Sequence, residues 1–366
     1  MRAPARLSLS RNESVDVLRT KIDQIDEKVV ALLNDRALLA QKIGRSKSQN
    51  NQEIYVPHRE KQILQRLSRL NQGPLPEYSI RAIFREVVSA CRSVEAPLKI
   101  AFFGAEGTYS HLAAREKFGS TVTLLPTASI SEVFQEVSQG RVSFGVVPIE
   151  NSTEGVVAHT LDVLVDSELK ICAEIYLEIH HHLLSRTARE QDIKRIVSHP
   201  QALAQCRQWL IRHFPAAKLD EVASTAHAAI IAAGDKSAGA ISSALAKEAY
   251  DLQIIAANIE DHSNNITRFL VIGAQETDPS GDDKTSLVFA VKDKPGVLHR
   301  MLQPFARTRI NLTKIESRPI KNKPWEYRFF IDFKGHKKEA RIARALQTLD
   351  TSCDFIKILG SYPSGK

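Results

Sequence analysis

Near its start the chain carries an apolar repeat that predicts one unusually long helix. Between residues 13 and 49, apolar side chains recur at intervals of three and four, proline is absent, and the first glycine is Gly44. The members of the repeat are Leu18, Ile22, Ile25, Val29, Leu32, Leu39 and Ile43. A helix of that length cannot bury its apolar stripe against itself, so other helices must cover it.

Two shorter helices are predicted to follow. The second begins at Pro57, because proline suits the first helical position. The segment NQGPLP at 71–76 ends it, and a third helix runs from about Pro76 to Val94. The first part of the chain is therefore predicted to be an all-helical domain.

Charged side chains interrupt the apolar faces of these helices. Arg36 and Lys47 fall on the apolar face of the first helix. Arg59 and Glu60 begin the second helix on its inward side, and Glu95 continues the inward stripe of the third. Buried charges are costly unless they are paired. The interpretations left open are pairing (Arg36 with Glu60, or Lys47 with Glu95), heads that reach solvent, and a cationic pocket for a dicarboxylate.

The runs LRTKIDQIDEKVVALLNDR, KIGRSK and PHRE resemble the all-helical chorismate mutase family over residues 11–96. In that family two chains intertwine, and an arginine from the partner completes each site. The resemblance therefore implies a homodimer or a higher homo-oligomer that binds chorismate. One departure is Tyr55-Val56, where many relatives have an aspartate. The implied catalytic residues are Arg19 (the arginine given to the partner), Arg36, Lys47, Arg59, Glu60 and Glu95.

The chemistry of this family explains these residue types. Chorismate rearranges to prephenate by a pericyclic path that needs no nucleophile, so the site must hold the compact conformer and stabilise charge on the breaking ether oxygen. By resemblance, Arg36 and Arg59 bind the carboxylates. Lys47 donates to the ether oxygen, and Glu60 binds the hydroxyl. Glu95 faces the same ether oxygen and donates only when protonated.

Strand and helix patterns alternate from residue 98 to residue 273. Apolar segments such as KIAFF and GVVPI are each followed by a helix-like segment. Alternation of this kind predicts an α/β domain with parallel sheets. A division near residue 180 splits the domain into two lobes, with a cleft between them.

Polar residues fall where the helices of this segment begin. Helix N-termini present free N–H groups and a positive dipole end, both suited to a carboxylate. Each residue alone has an alternative role as an ordinary N-cap, but several in one cleft favour a carboxylate-bearing ligand. The candidate substrate-binding residues are Thr108, Tyr109, Ser110, Asn151, Ser152, His199, Gln201, Ser224 and Thr225.

The runs FGAEGTYSH, VVPIENSTEG, SHPQALAQC and DHSNNITRF resemble the prephenate dehydratase family over residues 98–273. The resemblance implies two lobes like those of periplasmic binding proteins. The family's Thr-Arg-Phe signature stands here as Thr267, Arg268 and Phe269. Thr267 is the catalytic candidate, and the other two are assigned to substrate binding. For Arg268, an ion pair that fixes the lobes and a carboxylate clamp both remain open.

Dehydration of prephenate releases carbon dioxide and the ring hydroxyl, and aromatisation drives it. Thr267 is a weak acid, so it is expected to polarise the leaving oxygen rather than protonate it. Glu150, Asp261 and His199 remain open as proton relays. Two other functions stay open at this point. One is a dehydratase that prefers arogenate, which differs by an amino group, and the other is a non-catalytic amino-acid sensor.

The last segment follows the polar run AQETDPSGDDKTS at 274–286. Its order of strand, helix, two strands, helix and strand predicts an α+β, ferredoxin-like domain, whose simplest role is a structural or dimerising cap. The runs PGVLHRML and ESRP resemble the ACT regulatory domain over residues 285–362, which implies feedback inhibition by L-phenylalanine bound at a dimer interface. The implied effector-binding residues are Gly296, Val297, Leu298, His299, Glu316, Ser317, Arg318 and Pro319.

Composition limits the remaining partners. The net charge is +8, but the basic residues are spread along helices and aromatic residues make up 6%, which favours small polyanionic substrates over nucleic acid. No apolar stretch is long enough to cross a membrane, and the N-terminus lacks the apolar core of a signal peptide. The four cysteines form no CxxC pair, which fits the reducing cytoplasm. The histidines at 180–182 have no ligand-spaced partner, so neither a metal nor another cofactor is expected.

Overall fold

The structure is a computed structural model, and it describes residues 14–49, 57–292, 294–320 and 326–365. Residues 11–13 and the Tyr55-Val56 pair, which belong to the predicted mutase domain, lie outside these ranges. None of the described helices is both long and apolar enough to cross a membrane.

The N-terminal domain is all-helical, as predicted. Its helices are α1 (Val15–Gln49), α2 (Pro57–Leu70) and α3 (Glu77–Glu95). Gly44 is buried where α1 meets the end of α3, and a Cβ added there would lie 2.4 Å from Cγ of Glu95. A side chain larger than glycine would therefore force the two helices, or the Glu95 side chain, apart.

Much of the apolar stripe of α1 is uncovered within one chain. Ile22 is 55% exposed, Leu32 67%, Leu39 60% and Ile43 54%. Contiguous apolar surface of this kind marks an interaction site in a soluble protein. The helix therefore presents a face that a single copy of the chain does not bury.

The middle domain is α/β and has two lobes, as predicted. Its strands are β1 (Lys99–Phe103), β2 (Thr123–Thr127), β3 (Phe144–Asn151), β4 (Gly155–Val156), β5 (Lys170–Glu178), β6 (His182–Ser185), β7 (Arg195–Ser198), β8 (Lys218–Glu221), β9 (Ala238–Ser242), β10 (Gln253–Ala256) and β11 (Ile266–Gly273). Its helices are α4 (Tyr109–Phe118), α5 (Ile130–Ser138), α6 (Ala158–Asp166), α7 (Pro200–Gln205), α8 (Arg207–His213), α9 (Thr225–Gly234) and α10 (Ala244–Tyr250).

Each lobe is built on its own sheet. The first has the order β2-β1-β3-β11-β5, with β4 paired to β3, and the second has the order β10-β6-β9-β7-β8. The predicted parallel pairing is present between β1 and both β2 and β3, and between β7 and both β8 and β9. Both sheets are nevertheless mixed, because β11 runs antiparallel to β3 and β5, and β6 runs antiparallel to β9 and β10. The chain leaves the first lobe after β5 and returns only with β11, which enters the middle of the first sheet in the opposite direction.

The C-terminal domain has the predicted ferredoxin-like order. Its elements are β12 (Asp283–Val291), α11 (Val297–Arg307), β13 (Leu312–Pro319), β14 (Tyr327–Lys334), α12 (Ala340–Asp350) and β15 (Phe355–Pro363). They form an antiparallel sheet in the order β13-β14-β12-β15. Both helices cover one face of this sheet, around Phe289, Phe305 and Phe333.

The other face of the C-terminal sheet shares a core with the first lobe. Val288, Phe330 and Leu359 pack in one cluster with Ile149 and Leu161. This joint burial fixes the two domains together through apolar surface removed from water. A change at the C-terminal sheet therefore has a direct mechanical route to the strands of the first lobe.

Candidate active sites

In the helical domain, Lys47 and Glu95 meet between α1 and α3. Lys47 Nζ lies 3.5 Å from Glu95 Oε1, and the two side chains are 22% and 11% exposed. Arg36 lies on the same seam, with Nη1 3.5 Å from the carbonyl oxygen of Val87. These two cations and Glu95 therefore occupy the apolar seam as the pattern indicated.

The remaining predicted mutase residues lie elsewhere in the single chain. Arg59 and Glu60 were both predicted to face inward, but within the single chain Arg59 is exposed and only Glu60 is partly buried. Arg19 is 73% exposed and lies near Asp16 on the open face of α1. Its position fits an arginine that acts outside its own chain.

Glu60 pairs with a residue that the pattern did not single out. Its carboxylate forms an ion pair with the buried guanidinium of Arg92 on α3, rather than with Arg36. Both residues line a cavity between the helical domain and the first lobe, which also contains Lys117. Burial lowers the pKa of Lys117 to about 8. Arg92 lies three residues before Glu95, a spacing that places the two on one helical face.

In the middle domain, Thr267 is the second residue of β11 and lies directly beside Asn151 on β3. The Asn151 amide is oriented by the backbone, because its Oδ1 accepts from the N–H groups of Thr153 and Glu154 at 2.9 and 3.1 Å. Its Nδ2 must then donate, and it does so to Thr267 Oγ1 at 2.7 Å and to Asn265 Oδ1 at 2.6 Å. Since the Thr267 oxygen is the acceptor, its own hydrogen is free to donate.

The same direction of hydrogen-bond donation continues from Asn265 to Gln205. Asn265 Oδ1 accepts from Asn151, so its Nδ2 donates, and it does so to Gln205 Oε1 at 3.0 Å. His181 Nε2 also lies 2.7 Å from Gln205 Oε1. The remaining polar atom, Gln205 Nε2, is buried without a hydrogen-bond partner in the structure. Gln205 was missed as a site residue, although it lies in the SHPQALAQC run.

Tyr109 lies at the end of this row of polar groups. Its hydroxyl lies 2.7 Å from His181 Nδ1 and 2.9 Å from the carbonyl oxygen of His180. Burial raises the pKa of the Tyr109 phenol and lowers that of His181. A neutral imidazole carries one hydrogen. With that hydrogen on Nε2, His181 donates to Gln205 Oε1. Thr267, Asn151, Asn265, Gln205, His181 and Tyr109 are called the polar row below.

Several helix-start residues act as caps. Thr108 accepts from the His111 N–H at 3.3 Å, and Ser224 accepts from the His227 N–H at 3.0 Å, next to Thr225. His199 accepts from the Gln201 N–H at 3.4 Å. For these residues the structure supports the alternative N-cap role.

The other two serines among the candidates, Ser110 and Ser152, have partners or lie buried. Ser152 Oγ donates to the carbonyl oxygen of Asn264 at 3.0 Å and accepts from the Ile266 N–H at 2.9 Å. It thereby ties β3 to the segment that leads into β11. Ser110 is buried in α4.

All three open proton relays have hydrogen-bond partners in the structure. Asp261 accepts from the N–H groups of Gln208 and Trp209 at the start of α8. Burial alone would raise the pKa of Glu150, but hydrogen bonds from Lys314 and Arg268 outweigh it and lower that pKa. Both carboxylates are thus acceptors, while His199 caps α7.

Three family models match the chain: chorismate mutase type II at residues 18–96, prephenate dehydratase at 100–277 and an ACT domain at 285–351. The bifunctional chorismate mutase/prephenate dehydratase of Aquifex aeolicus is 46% identical over 96% of this chain and 98% of its own length. That of Pseudomonas aeruginosa is 45% identical over 97% and 99%. This chain belongs to the bifunctional chorismate mutase/prephenate dehydratase family. A crystal structure of prephenate dehydratase from Arthrobacter aurescens with L-Phe is 34% identical and covers 73% of this chain and 90% of its own, with a TM-score of 0.68.

Membership in this bifunctional family disfavours the non-catalytic sensor. Both catalytic domains are matched, and the relatives that carry the name align over nearly their whole length.

Within this bifunctional fold, Arg268 has a structural position. Its Nε donates to Glu174 at 2.8 Å, and its Nη1 donates to Asp332 at 2.6 Å and to Glu150 at 2.9 Å. Its Nη2 donates to the Tyr362 hydroxyl at 3.0 Å. With the side chain 4% exposed and each nitrogen engaged, the ion-pair interpretation is supported and the carboxylate clamp is not. The pairs join the first lobe to the ACT domain.

Phe269 also lies away from the cleft. Its side chain is 2% exposed and belongs to a buried apolar cluster of the first lobe with Phe144 and Ile175. The prediction that Phe269 contacts substrate is therefore corrected to a packing role, because the ring has no open side toward the polar row.

The predicted effector residues lie on two edges of the ACT domain. Gly296 has a φ of 73°, which favours glycine, and it precedes α11, where Val297 and Leu298 are half-buried and His299 is exposed. The second set lies on β13, the outer strand of the sheet; it comprises Glu316, Ser317, Arg318 and Pro319.

The three adjacent histidines make different contacts. His180 Nδ1 lies 2.7 Å from Glu260 Oε1, and His182 Nδ1 accepts from the Asn258 N–H at 3.2 Å. His181 belongs to the polar row. Within the described ranges, no group of three His, Cys, Asp or Glu side chains is arranged to hold a metal ion.

Proposed function

We propose that this chain converts chorismate to prephenate in its helical domain, residues 11–96, and prephenate to phenylpyruvate in its two-lobed domain, residues 98–273. The C-terminal domain, residues 285–362, binds L-phenylalanine and inhibits the second reaction. The observation that carries this proposal is the polar row, in which every amide has a fixed orientation and two donors, Thr267 O–H and Gln205 Nε2–H, are left over.

The dehydratase step needs neutral donors at the leaving oxygen. The bond to the ring carboxylate breaks and releases carbon dioxide, its electron pair completes the aromatic ring, and the ring C–O bond breaks. The hydroxide that leaves takes up a proton from solvent and becomes water. Thr267 donates to that oxygen because Asn151 occupies its lone pair, and charge that grows on the oxygen strengthens this hydrogen bond. Gln205 Nε2 donates a second hydrogen bond to the substrate.

The mutase step is supported by the cations of the α1 seam. Lys47 and Arg36 place positive charge where a dicarboxylate with a breaking ether bond would lie, and Glu95 adjoins them. We propose that Arg59 and Glu60 complete the site when the second copy is bound, together with the partner's arginine at the position of Arg19. The geometry of a single chain does not include that arginine.

A homodimer through α1 is part of the proposal. The exposed apolar stripe of α1 supports it, since contact with the same stripe of a second copy would remove that surface from water. A two-fold arrangement brings the same patch of each copy together.

Inhibition by L-phenylalanine is proposed from the ACT domain and from the route that joins it to the catalytic strand. Arg268 follows Thr267 in β11 and bonds to Asp332 and Tyr362 of the ACT domain. An effector that favours one arrangement of the ACT sheet would then shift the position of Thr267, provided that it binds the two arrangements with different affinity.

The decisive experiment incubates the purified full chain with chorismate and measures prephenate and phenylpyruvate separately. Thr267→Val removes the hydroxyl while keeping the shape, so phenylpyruvate formation should fall by about 100-fold or more while chorismate consumption is unchanged. Thr267→Ser should retain much of the activity. Thr160→Val is the control, because it removes a threonine hydroxyl of the same lobe that donates to the Pro148 carbonyl oxygen outside the polar row.

Several outcomes would contradict the proposal. Chorismate left intact by the wild type would remove the mutase assignment, and equal losses in the Thr267 and Thr160 valine variants would remove Thr267 from catalysis. Faster turnover of arogenate than of prephenate would change the substrate but not the reaction class.

A further inference from the structure

The ACT domain carries a cationic groove on its helical side. The groove runs between α11 and α12 beneath the end of β12, with a cavity volume of ≈ 920 Å³. Its cationic wall consists of Lys292 and Lys294 after β12, Arg300 and Arg307 on α11, and Arg341 and Arg344 on α12, with Arg309 at one end. This surface was not visible in the sequence, where the same residues are dispersed over more than fifty positions.

The positive charge of the groove is poorly compensated. Among the lining residues that the structure describes, only Asp354 is acidic, and that carboxylate accepts the backbone N–H of Lys292 at 2.9 Å. Arg300 and Arg344 donate to the backbone carbonyls of Pro295 and Ala340, which are neutral. Arg341 is the exception, with Nε 3.3 Å from Glu339.

Clustered like charges destabilise a folded domain through mutual repulsion. The side chains of Lys292, Lys294 and Arg307 form no ion pair with any residue that the structure describes. A bound anion would relieve this repulsion, and guanidinium groups match phosphate oxygens with paired hydrogen bonds. The charge pattern therefore points to a phosphate-bearing ligand.

The shape of the groove indicates the size of that ligand. Its volume lies in the range of small-molecule sites, and its floor includes the apolar side chains of Val297, Met301 and Leu349. Within the described part of the chain no aromatic side chain lines it, and so these residues do not form the stacking platform typical of single-stranded nucleic acid sites. A membrane surface would meet a convex patch rather than this concave one.

We propose that the groove between α11 and α12 binds a small molecule with two or more linked phosphate groups. The site is separate from the predicted phenylalanine segments. Of those segments only Val297 borders the groove, whereas Glu316, Ser317, Arg318 and Pro319 lie on β13. The inference concerns binding alone and does not depend on either proposed activity.

Isothermal titration of the full chain with inorganic triphosphate tests the proposal. Binding should saturate at one site per chain and should weaken about 10- to 100-fold in Arg307→Glu/Arg344→Glu, because two charge-assisted contacts are lost. The matched control is Arg189→Glu/Arg212→Glu, which makes the same charge change at exposed arginines outside the groove. Thermal melting and phenylpyruvate formation establish that each variant is folded.

Further arms of the titration define the ligand class. Pyrophosphate and ATP should bind like triphosphate, and sulfate at equal ionic strength should not compete. The proposal fails if triphosphate does not bind, if both double variants weaken it equally, or if L-phenylalanine displaces it competitively. It also fails if anionic lipid vesicles or a DNA oligonucleotide bind the groove and triphosphate does not.

Discussion

His181 Nε2 lies 2.7 Å from Gln205 Oε1, and this contact helps to decide which way the Gln205 amide faces. The Gln205 oxygen accepts from both His181 and Asn265, so the amide nitrogen is turned away from both donors. Tyr109 in turn holds the other nitrogen of the imidazole. His181 thus acts as a positioning residue for a group that would contact substrate.

Replacement of His181 should therefore impair the dehydratase without altering the mutase. In His181→Leu the Gln205 amide loses one of its two fixing donors, and misplaced groups lower a rate by up to about 100-fold. We expect kcat for phenylpyruvate formation to fall more than KM rises. His182→Leu is the control, since it removes a neighbouring buried imidazole whose hydrogen bond, within the described residues, is to the Asn258 backbone. Similar kinetics in the two variants would leave His181 with a merely structural role.

Gly44→Ala should damage the mutase selectively. The added methyl group would lie 2.4 Å from Glu95 Cγ, so Glu95 and its contact with Lys47 must shift. Alanine favours a helix over glycine by about 1 kcal/mol, so a loss of activity would not reflect helix propensity. Gly234→Ala, with nothing within 4 Å of the new methyl group, should leave chorismate consumption unchanged. Wild-type mutase kinetics in Gly44→Ala would show that the seam tolerates movement of Glu95.

Local patterns predicted the parts of the fold that depend on neighbouring residues. The repeat of α1, the strand and helix alternation and the Thr267 signature are all short-range signals. The antiparallel entry of β11 between β3 and β5 is a pairing between distant segments, which no periodicity encodes. Gln205 was missed for the same reason, because its partners His181 and Asn265 are far away in sequence.

The same limit explains the corrected residues. Arg268 follows Thr267 in the signature, and adjacent strand residues point to opposite faces of a sheet. The sequence could not tell which face of β11 meets Asp332 of the ACT domain. Arg59 and Glu60 are also adjacent, and within the single chain only Glu60 lies on the inner side of α2.

Arg268→Met should destabilise the whole chain. It would leave the buried carboxylate of Glu174, whose side chain is 0% exposed, with Lys284 as its cationic contact among the described residues. Breaking a buried ion pair from one side costs about 3–5 kcal/mol, which urea unfolding should measure. Arg195→Met, which removes only partly buried pairs to Asp220 and Asp235, should cost under about 1 kcal/mol. Equal losses would contradict the buried role of Arg268.

The same variant tests the route of inhibition. If Arg268 carries the effect of L-phenylalanine to Thr267, L-phenylalanine should inhibit the remaining dehydratase activity of Arg268→Met less than that of wild type. Binding of L-phenylalanine should be retained. Titration calorimetry separates the two quantities. Undiminished inhibition would place the coupling in the apolar core that Val288 and Leu359 share with the first lobe.

The contact between His180 and Glu260 should make stability depend on pH. The hydrogen bond to Glu260, opposed by partial burial, raises the pKa of His180. A group with a raised folded-state pKa stabilises the fold fully below its unfolded pKa, about 6.5 for histidine, and loses that contribution as pH rises through the folded-state value. The melting temperature of wild type should therefore exceed that of His180→Asn most at about pH 5.5 to 6, and the gap should close at higher pH.

Glu260 Oε2 also accepts the His181 N–H at 2.9 Å, so loss of the contact at high pH should loosen the polar row. His213→Asn, a change at an exposed histidine that bonds to the Trp209 carbonyl, should give a gap that does not vary in this way, and a constant gap for His180→Asn would exclude the ion pair.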